Sequence, residues 1–295
     1  MSESTPLPNG NPPAIDAHFH SWQLDRGDYG WLTPALGAIY RDVRVTDWWR
    51  EASPLGVAGG VLVQAAPTEA ETRHLLALAD RHPQVLGVVG WVDWLADDAP
   101  QRIAKLARHS KLKGLRPMLQ DIADPDWILQ DALTPCLQAM ADHGLVFDAL
   151  VKPVHLPRLQ VLAQRHPTLR GVIDHAAKPD IAHDQWQPWA NGMAALATQT
   201  DWYCKLSGLL TECGPAPQAD AARRWARHVL AQFGPERVLW GSDWPVLQLA
   251  ANYRAWWHET RELLATLPPD QQHAVLGGNA LRAYQLTVTP SGINP

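Results

Sequence analysis

The run Ile15-Asp16-Ala17-His18-Phe19-His20 carries two histidines one residue apart at the end of an apolar stretch. Two imidazoles so spaced can converge on one metal ion or on one substrate oxygen. On a strand, alternate side chains share a face, so Asp16, His18 and His20 are expected on one side and Ile15, Ala17 and Phe19 on the other. A second apolar run, Val172-Ile173, ends in Asp174-His175, and Pro179 turns the chain away soon afterwards. A third, Val238-Leu239-Trp240, runs out into Gly241-Ser242-Asp243. A carboxylate there can hold and deprotonate a water beside the histidines. His18, His20, His175 and Asp243 are therefore the expected catalytic set, and the same four are the candidate ligands for a divalent metal. Each has a plainer alternative: a satisfied core histidine, a histidine bracing a turn, or an aspartate capping a helix.

Residues so far apart along the chain meet only if the fold brings strand ends together. Eight short apolar runs read as strands: Ala14–Phe19, Gly59–Gln64, Val85–Val92, Leu112–Arg116, Leu145–Leu150, Leu169–Asp174, Trp202–Leu206 and Val238–Gly241. Segments of helical period lie between most of them, at Thr68–Ala79, Gln101–Arg108, Thr134–His143, Leu156–Arg165, Gln187–Thr198, Asp220–Phe233 and Asn252–Leu264. A last helix, Pro269–Tyr284, closes the chain. Thr68-Glu69-Ala70-Glu71 reads as a capping box, in which Thr68 and Glu71 each satisfy a free backbone N–H of the first turn. Strands separated by helices return in parallel. Eight of them predict an α/β fold, a single-domain (β/α)8 TIM barrel over residues 13–286, with loose ends at 1–12 and 287–295. An open doubly wound sheet is the alternative. In a barrel the three chemical motifs all fall at the C-terminal ends of strands, where barrel enzymes work.

Composition narrows the classes further. The 295 residues carry a net charge of −5 with no dense Lys/Arg run, so neither nucleic acid nor a membrane surface is an expected partner. Three cysteines without metal spacing suit a reducing compartment, and the first residues have no basic-then-apolar pattern, so a cytoplasmic location is expected. Tryptophan is unusually frequent, 15 against 3 phenylalanines. Indole faces pack against sugar C–H surfaces, and Trp22, Tyr29, Trp31, Trp91 and Trp244 flank the chemical motifs. Trp48, Trp225 and Trp256 are expected in packing instead.

His-x-His on the first strand, histidine on the sixth and aspartate on the eighth resemble the pattern of the amidohydrolase superfamily. The stretches IDAHFHSW, RGDYGWL, KGLRPMLQD, VIDHAAKPDI, CKLSGLLTE, RVLWGSDWPV and LGGNALRAY resemble its branch of sugar-acid and pyrone-dicarboxylate lactonases, and they span Ile15 to Tyr284. The resemblance implies hydrolytic opening of a small sugar lactone, with Asp243 activating water. Metal-dependent decarboxylases on the same scaffold are the alternative chemistry, and a non-catalytic sugar-binding barrel is the alternative class. Members with two metals carry a lysine on strand four and a histidine on strand five. Here those strands end in Leu115-Arg116-Pro117 and Asp148-Ala149-Leu150-Val151, so a binuclear centre is not expected. One divalent ion, zinc first, or none remain open. A lactone carbonyl is activated enough for hydrogen bonds and a cation to stabilise its oxyanion. His155, just past strand five, reads equally as an inward group or as part of a helix start. Arg116, Lys205, Gln64, Trp22, Trp31, Asp93 and Lys178 are the candidate substrate-binding residues, with Ser207 in a comparable strand-end position.

Overall fold

In a computed structural model, which describes residues 12–214 and 219–288, eight parallel strands stand in sequence order around one barrel. They are β1 (Ala14–Phe19), β2 (Val57–Val63), β3 (Val85–Gly90), β4 (Leu112–Leu115), β5 (Val146–Ala149), β6 (Gly171–Ile173), β7 (Tyr203–Leu206) and β8 (Val238–Trp240). The helices outside them are α1 (Val45–Ala52), α2 (Glu69–Arg81), α3 (Ala99–Leu106), α4 (Thr134–Asp142), α5 (Leu156–Arg165), α6 (Trp186–Gln199), α7 (Ala219–Phe233) and α8 (Tyr253–Leu264). All eight expected strands are present. The expected loose ends lie outside the described residues except for Pro12, Thr287 and Val288. No helix among the described residues is long and apolar enough to cross a membrane.

Two elements differ from the sequence reading. Helix α1 is an addition to it: its eight residues include two tryptophans and two β-branched side chains, which are modest helix formers. The terminal helix is not continuous: α9 (Pro269–His273) and α10 (Asn279–Ala283) flank a wider turn at Ala274–Gly278. Gly277 lies so near the entry to β1 that a methyl group on it would overlap the Pro13 carbonyl.

Inward side chains of several strands form a narrow apolar plug, with Ile15, Ala17, Val61, Val63, Val89, Val146, Val172 and Leu239 fully or nearly fully buried. Tyr284 packs against this plug and donates to Asp148 Oδ1 at 2.7 Å. The larger apolar layer, including Phe19, Leu62, Phe147 and Trp240, lies between strands and helices.

The alternation expected along β1 breaks at a bulge. Asp16 pairs with Gly60 and Phe19 with Leu62, so three steps on β1 face two on β2. One extra residue moves the side chains beyond it to the opposite face. Asp16 and Phe19 therefore point to the helix layer, Asp16 bonding Trp48 Nε1 at 2.8 Å and Phe19 stacking on Trp48. Ile15 and Ala17 face the plug, and His18 turns into the barrel, against Lys205.

Asp16 thus knots the outside of the seam where the barrel closes. Its carboxylate accepts from Ser242 N at 2.8 Å, Ser242 Oγ at 2.6 Å and Tyr253 Oη at 2.9 Å, besides Trp48. On the same seam Asp243 N donates to His18 O and His20 N to Trp244 O, both at 2.8 Å. Replacing Asp16 by alanine strands several buried donors. Urea unfolding of Asp16→Ala should show a loss of about 3–5 kcal/mol; a loss under about 1 kcal/mol contradicts this role for the knot.

Candidate active site

The seam bonds place the ends of β1 and β8 side by side, and their side chains then meet inside the mouth. His18 Nε2, His20 Nε2 and His175 Nε2 lie 3.7, 3.4 and 3.8 Å from one oxygen of Asp243, Oδ1. His18 Nε2 and His20 Nε2 are 3.2 Å apart. His18, His175 and Asp243 alone present ligand atoms all within 4.8 Å of one another. A tetrahedron of metal–ligand bonds near 2.0–2.1 Å has edges of about 3.3 Å, close to these separations. Three imidazoles and one carboxylate also match the donors that a divalent transition ion prefers. By spacing and by chemistry, His18, His175 and Asp243 fit a single ion, with His20 beside them against His18 and Asp243.

Backbone geometry brings two of the four inward. His175, Ala176, Ala177 and Lys178 all adopt left-handed conformations, with φ between 47° and 60°, and Asp243 has φ 57°. Each such non-glycine residue costs about 1–2 kcal/mol and persists only when its neighbours hold it. Here Ser207 Oγ lies 2.9 Å from His175 Nδ1, Trp189 donates to Ala176 O at 2.6 Å, and Lys178 pairs with Glu212 at 3.0 Å. Gly208 completes the nest, since a methyl group there would sit 2.8 Å from the His175 ring.

Protonation is set by the partners. His20 Nδ1 faces the Val63 carbonyl at 2.8 Å, which only accepts, so Nδ1 carries the proton and Nε2 presents its lone pair to the site. Burial lowers His18 well below its ordinary value, and Lys205 adds to the effect. Burial also pushes His175 down to about 4. For Asp243, burial opposes ionisation, but the surrounding imidazoles, His175 first, outweigh it and hold the carboxyl below its usual range. Near neutral pH the cluster therefore combines an ionised carboxylate with neutral His18 and His175.

Beneath it lies a buried charge lattice that the strand-end motifs do not announce. Lys205 Nζ contacts Asp148 at 2.5 Å, Asp174 at 2.8 Å and His18 Nδ1 at 3.2 Å. Arg116 Nη1 contacts Asp174 at 3.2 Å, and its Nη2 donates to Gln64 O. Burial works against the Asp174 charge, yet Lys205, His18 and Arg116 bring its carboxyl well below the ordinary value. Asp148 and Asp174 each end a strand with an inward side chain, which the strand period alone could have flagged. For Asp148, burial outweighs the pull of Lys205 and pushes the carboxyl up to about 7, so Asp174 is the lattice's firmly ionised member.

The mouth above is a cavity of about 230 Å³, lined by His20, Trp31, Arg116, His175, Lys178 and Asp243 among the expected residues. Met118, Gln120, Asp121, Leu150 and Val246 line it too; most of them sit on loops, where no periodicity marks an inward side chain. The other expected binding residues lie elsewhere. Lys205 is sealed behind His18. Gln64 is fully buried and donates to Arg116 O and Met118 Sδ, a support for the wall. Trp22 is fully buried behind Trp31 and bonds Arg41 O. Asp93 and Trp91 line a separate hollow of about 350 Å³. His155 turns back on the Lys152 backbone at the start of α5.

Comparison with known proteins agrees with this fold. The amidohydrolase family model matches residues 15–286. L-fucono-1,5-lactonase of Burkholderia ambifaria is 47% identical over 282 residues, which cover 94% of this chain and 97% of that one. L-fucono-1,5-lactonase of Burkholderia multivorans is 33% identical over 291 residues, covering 92% and 96%. A crystal structure of an amidohydrolase from Burkholderia multivorans with bound zinc superposes with a TM-score of 0.88 at 31% identity, covering 93% and 99%.

Cutting Lys205 from the lattice leaves Asp174 with Arg116 as its cation and Asp148 with the Tyr284 hydroxyl. Lys205→Met preserves most of the stem, and denaturant unfolding should show it about 3–5 kcal/mol less stable. Stability equal to wild type contradicts a stabilising role for the Lys205 contacts with Asp148 and Asp174.

Proposed function

The chain belongs to the amidohydrolase family, and on that premise we propose that it opens a sugar lactone by hydrolysis, with L-fucono-1,5-lactone or a close relative as substrate. The observation that carries the reading is the convergence of Asp243 with three histidines at the floor of a cavity walled by Trp31 and Arg116. About 230 Å³ accommodates one sugar-sized ring and little more.

Each residue has its own share of the work. Trp31, 39% exposed at the rim with its indole N–H bound to Ala65 O, offers a flat face to the ring's C–H surface. Asp243 accepts a proton from a water held against Oδ1, and the water oxygen attacks the lactone carbonyl carbon. Arg116 Nε is buried without a protein acceptor among the described residues, so it serves as a free charge-bearing donor for the carbonyl oxygen as that oxygen becomes anionic. When the ring C–O bond breaks, Asp243 returns its proton to the departing alkoxide. The products are a hydroxyl and a carboxylic acid, which releases its proton to solvent, and Arg116 and Lys178 supply positive charge for the resulting carboxylate. His18, His175 and Asp243, with His20 alongside, are the residues that would hold a divalent ion, zinc being the ion in the related crystal structure. Bound there, it supplies Lewis acidity. His20 and His175, with Nδ1 of each fixed by a neighbour, keep Nε2 aimed at the reacting centre.

A panel of L-fucono-, D-arabinono- and L-rhamnonolactones in weak buffer with a pH indicator tests the reading. Proton release should be fastest with the L-fucono compound, and Asp243→Asn should reduce kcat on the order of 10³-fold with the fold retained. No proton release from any lactone overturns the activity; near-normal turnover by Asp243→Asn overturns the assignment of the base.

A further inference from the structure

The capping box expected at the start of α2 forms only by half, and the missing half leads back to the cavity. Thr68 Oγ1 accepts from Glu71 N at 3.0 Å, as expected. The Glu71 carboxylate does not return to the cap. It bends under the end of β2 and accepts from Ala65 N at 3.1 and 3.0 Å and from Ala66 N at 2.6 Å. Glu71, Ala65 and Ala66 are all buried.

Each carbonyl just before or within this clamped stretch holds a cavity residue. Val63 O faces His20 Nδ1 at 2.8 Å, Gln64 O accepts from Arg116 Nη2, and Ala65 O accepts from Trp31 Nε1 at 2.7 Å. We infer that Glu71 is a positioning residue for the reaction: by locking the two peptide groups beyond β2, it holds three consecutive carbonyls as the template that aims His20, Arg116 and Trp31.

The backbone explains why such a clamp is needed. Gln64 N still pairs with Val89 O at 2.9 Å, the last strand bond on that side. Beyond it the chain leaves the sheet, and the N–H groups of Ala65 and Ala66 have no strand partner in a place that water does not reach. One carboxylate from the first turn of α2 satisfies both. A second clamp fixes the opposite flank of the Trp31 loop: Asp28 accepts from Thr68 Oγ1 at 3.0 Å and from Arg26 at 2.8 Å. The stretch from Arg26 to Trp31 is thereby tied to the start of α2 at Thr68 and to the end of β2 at Ala65. Burial pushes Glu71 up to about 7 against the pull of its backbone donors, which agrees with a carboxyl shut away from solvent.

The assignment of these effects to a lactone ring rests on the proposed function, so the test has one arm that needs no substrate. Glu71→Gln keeps the size but sets an NH2 group against one of the two backbone donors. On the aldonolactone that wild type turns over, kcat/KM should fall up to about hundredfold, with KM rising, while the far-ultraviolet dichroism is unchanged. In a Trp31→Phe background, which lacks the indole N–H, the same substitution should raise KM by a much smaller factor. Independently, the Trp31 indole proton, assigned by its absence in Trp31→Phe, should be slow to exchange in wild type and fast in Glu71→Gln. Equal losses in both backgrounds, or unchanged Trp31 exchange, overturn the inference. A wild-type enzyme inactive on every lactone removes the functional reading alone and leaves the exchange comparison to decide this one.

Discussion

Closing the barrel and building the site are one event in this molecule. The hydrogen bonds that join β1 to the end of β8 run through His18 O, Asp243 N, His20 N and Trp244 O. Two of the histidines and the aspartate are therefore set by the seam itself. The bulge after Asp16 is what makes that possible. Without the extra residue, His18 would share the outward face of Asp16, among the helices. With it, Asp16 ties the outer side of the seam to Ser242, Trp48 and Tyr253, and His18 enters the barrel on the other.

A barrel mouth crowded with imidazoles needs something firm beneath it. Apolar packing does this for the lower barrel, where small aliphatic side chains and Tyr284 fill the space. Higher up, the lattice of Lys205, Asp148, Asp174 and Arg116 takes over. Buried ions are costly unless paired and hydrogen-bonded, and these mutual contacts meet that condition while giving each member a fixed direction. His18 feels the lattice directly through Lys205, and Arg116 spans it to the cavity wall. The strained turn at His175–Lys178 and the buried Glu71 carboxylate have the same character: local cost, offset by fixed neighbours, yielding a defined orientation.

Much of this is legible in the residues, and the rest is hidden for identifiable reasons. Strands betray themselves through apolar runs bounded by proline and glycine, and a strand-end histidine stands out because it interrupts such a run. Hence the barrel and the convergence of positions 18, 20, 175 and 243 are accessible without coordinates. The period of two wrongly puts Asp16 on the inward face of His18 and His20, because a bulge leaves no mark in composition. Lys205 and Gln64 look like substrate ligands because a polar side chain at a strand end reads the same whether it faces a ligand or another buried group. Glu71 reads through its nearest sequence partner, Thr68, although its partners are the peptides of Ala65 and Ala66. Loop residues such as Met118 and Val246 obey no period at all.

The proposed reaction requires the lactone carbonyl to sit where the seam brings the histidines and Asp243 together. A crystal structure of the Asp243→Asn variant soaked with intact L-fucono-1,5-lactone or its ring isomer tests this most directly. The account predicts the lactone carbonyl carbon within about 3–3.5 Å of the cluster's water position, with the carbonyl oxygen toward Arg116 and the ring against Trp31. A lactone lodged instead in the hollow of Trp91 and Asp93, with the histidine cluster untouched, contradicts it.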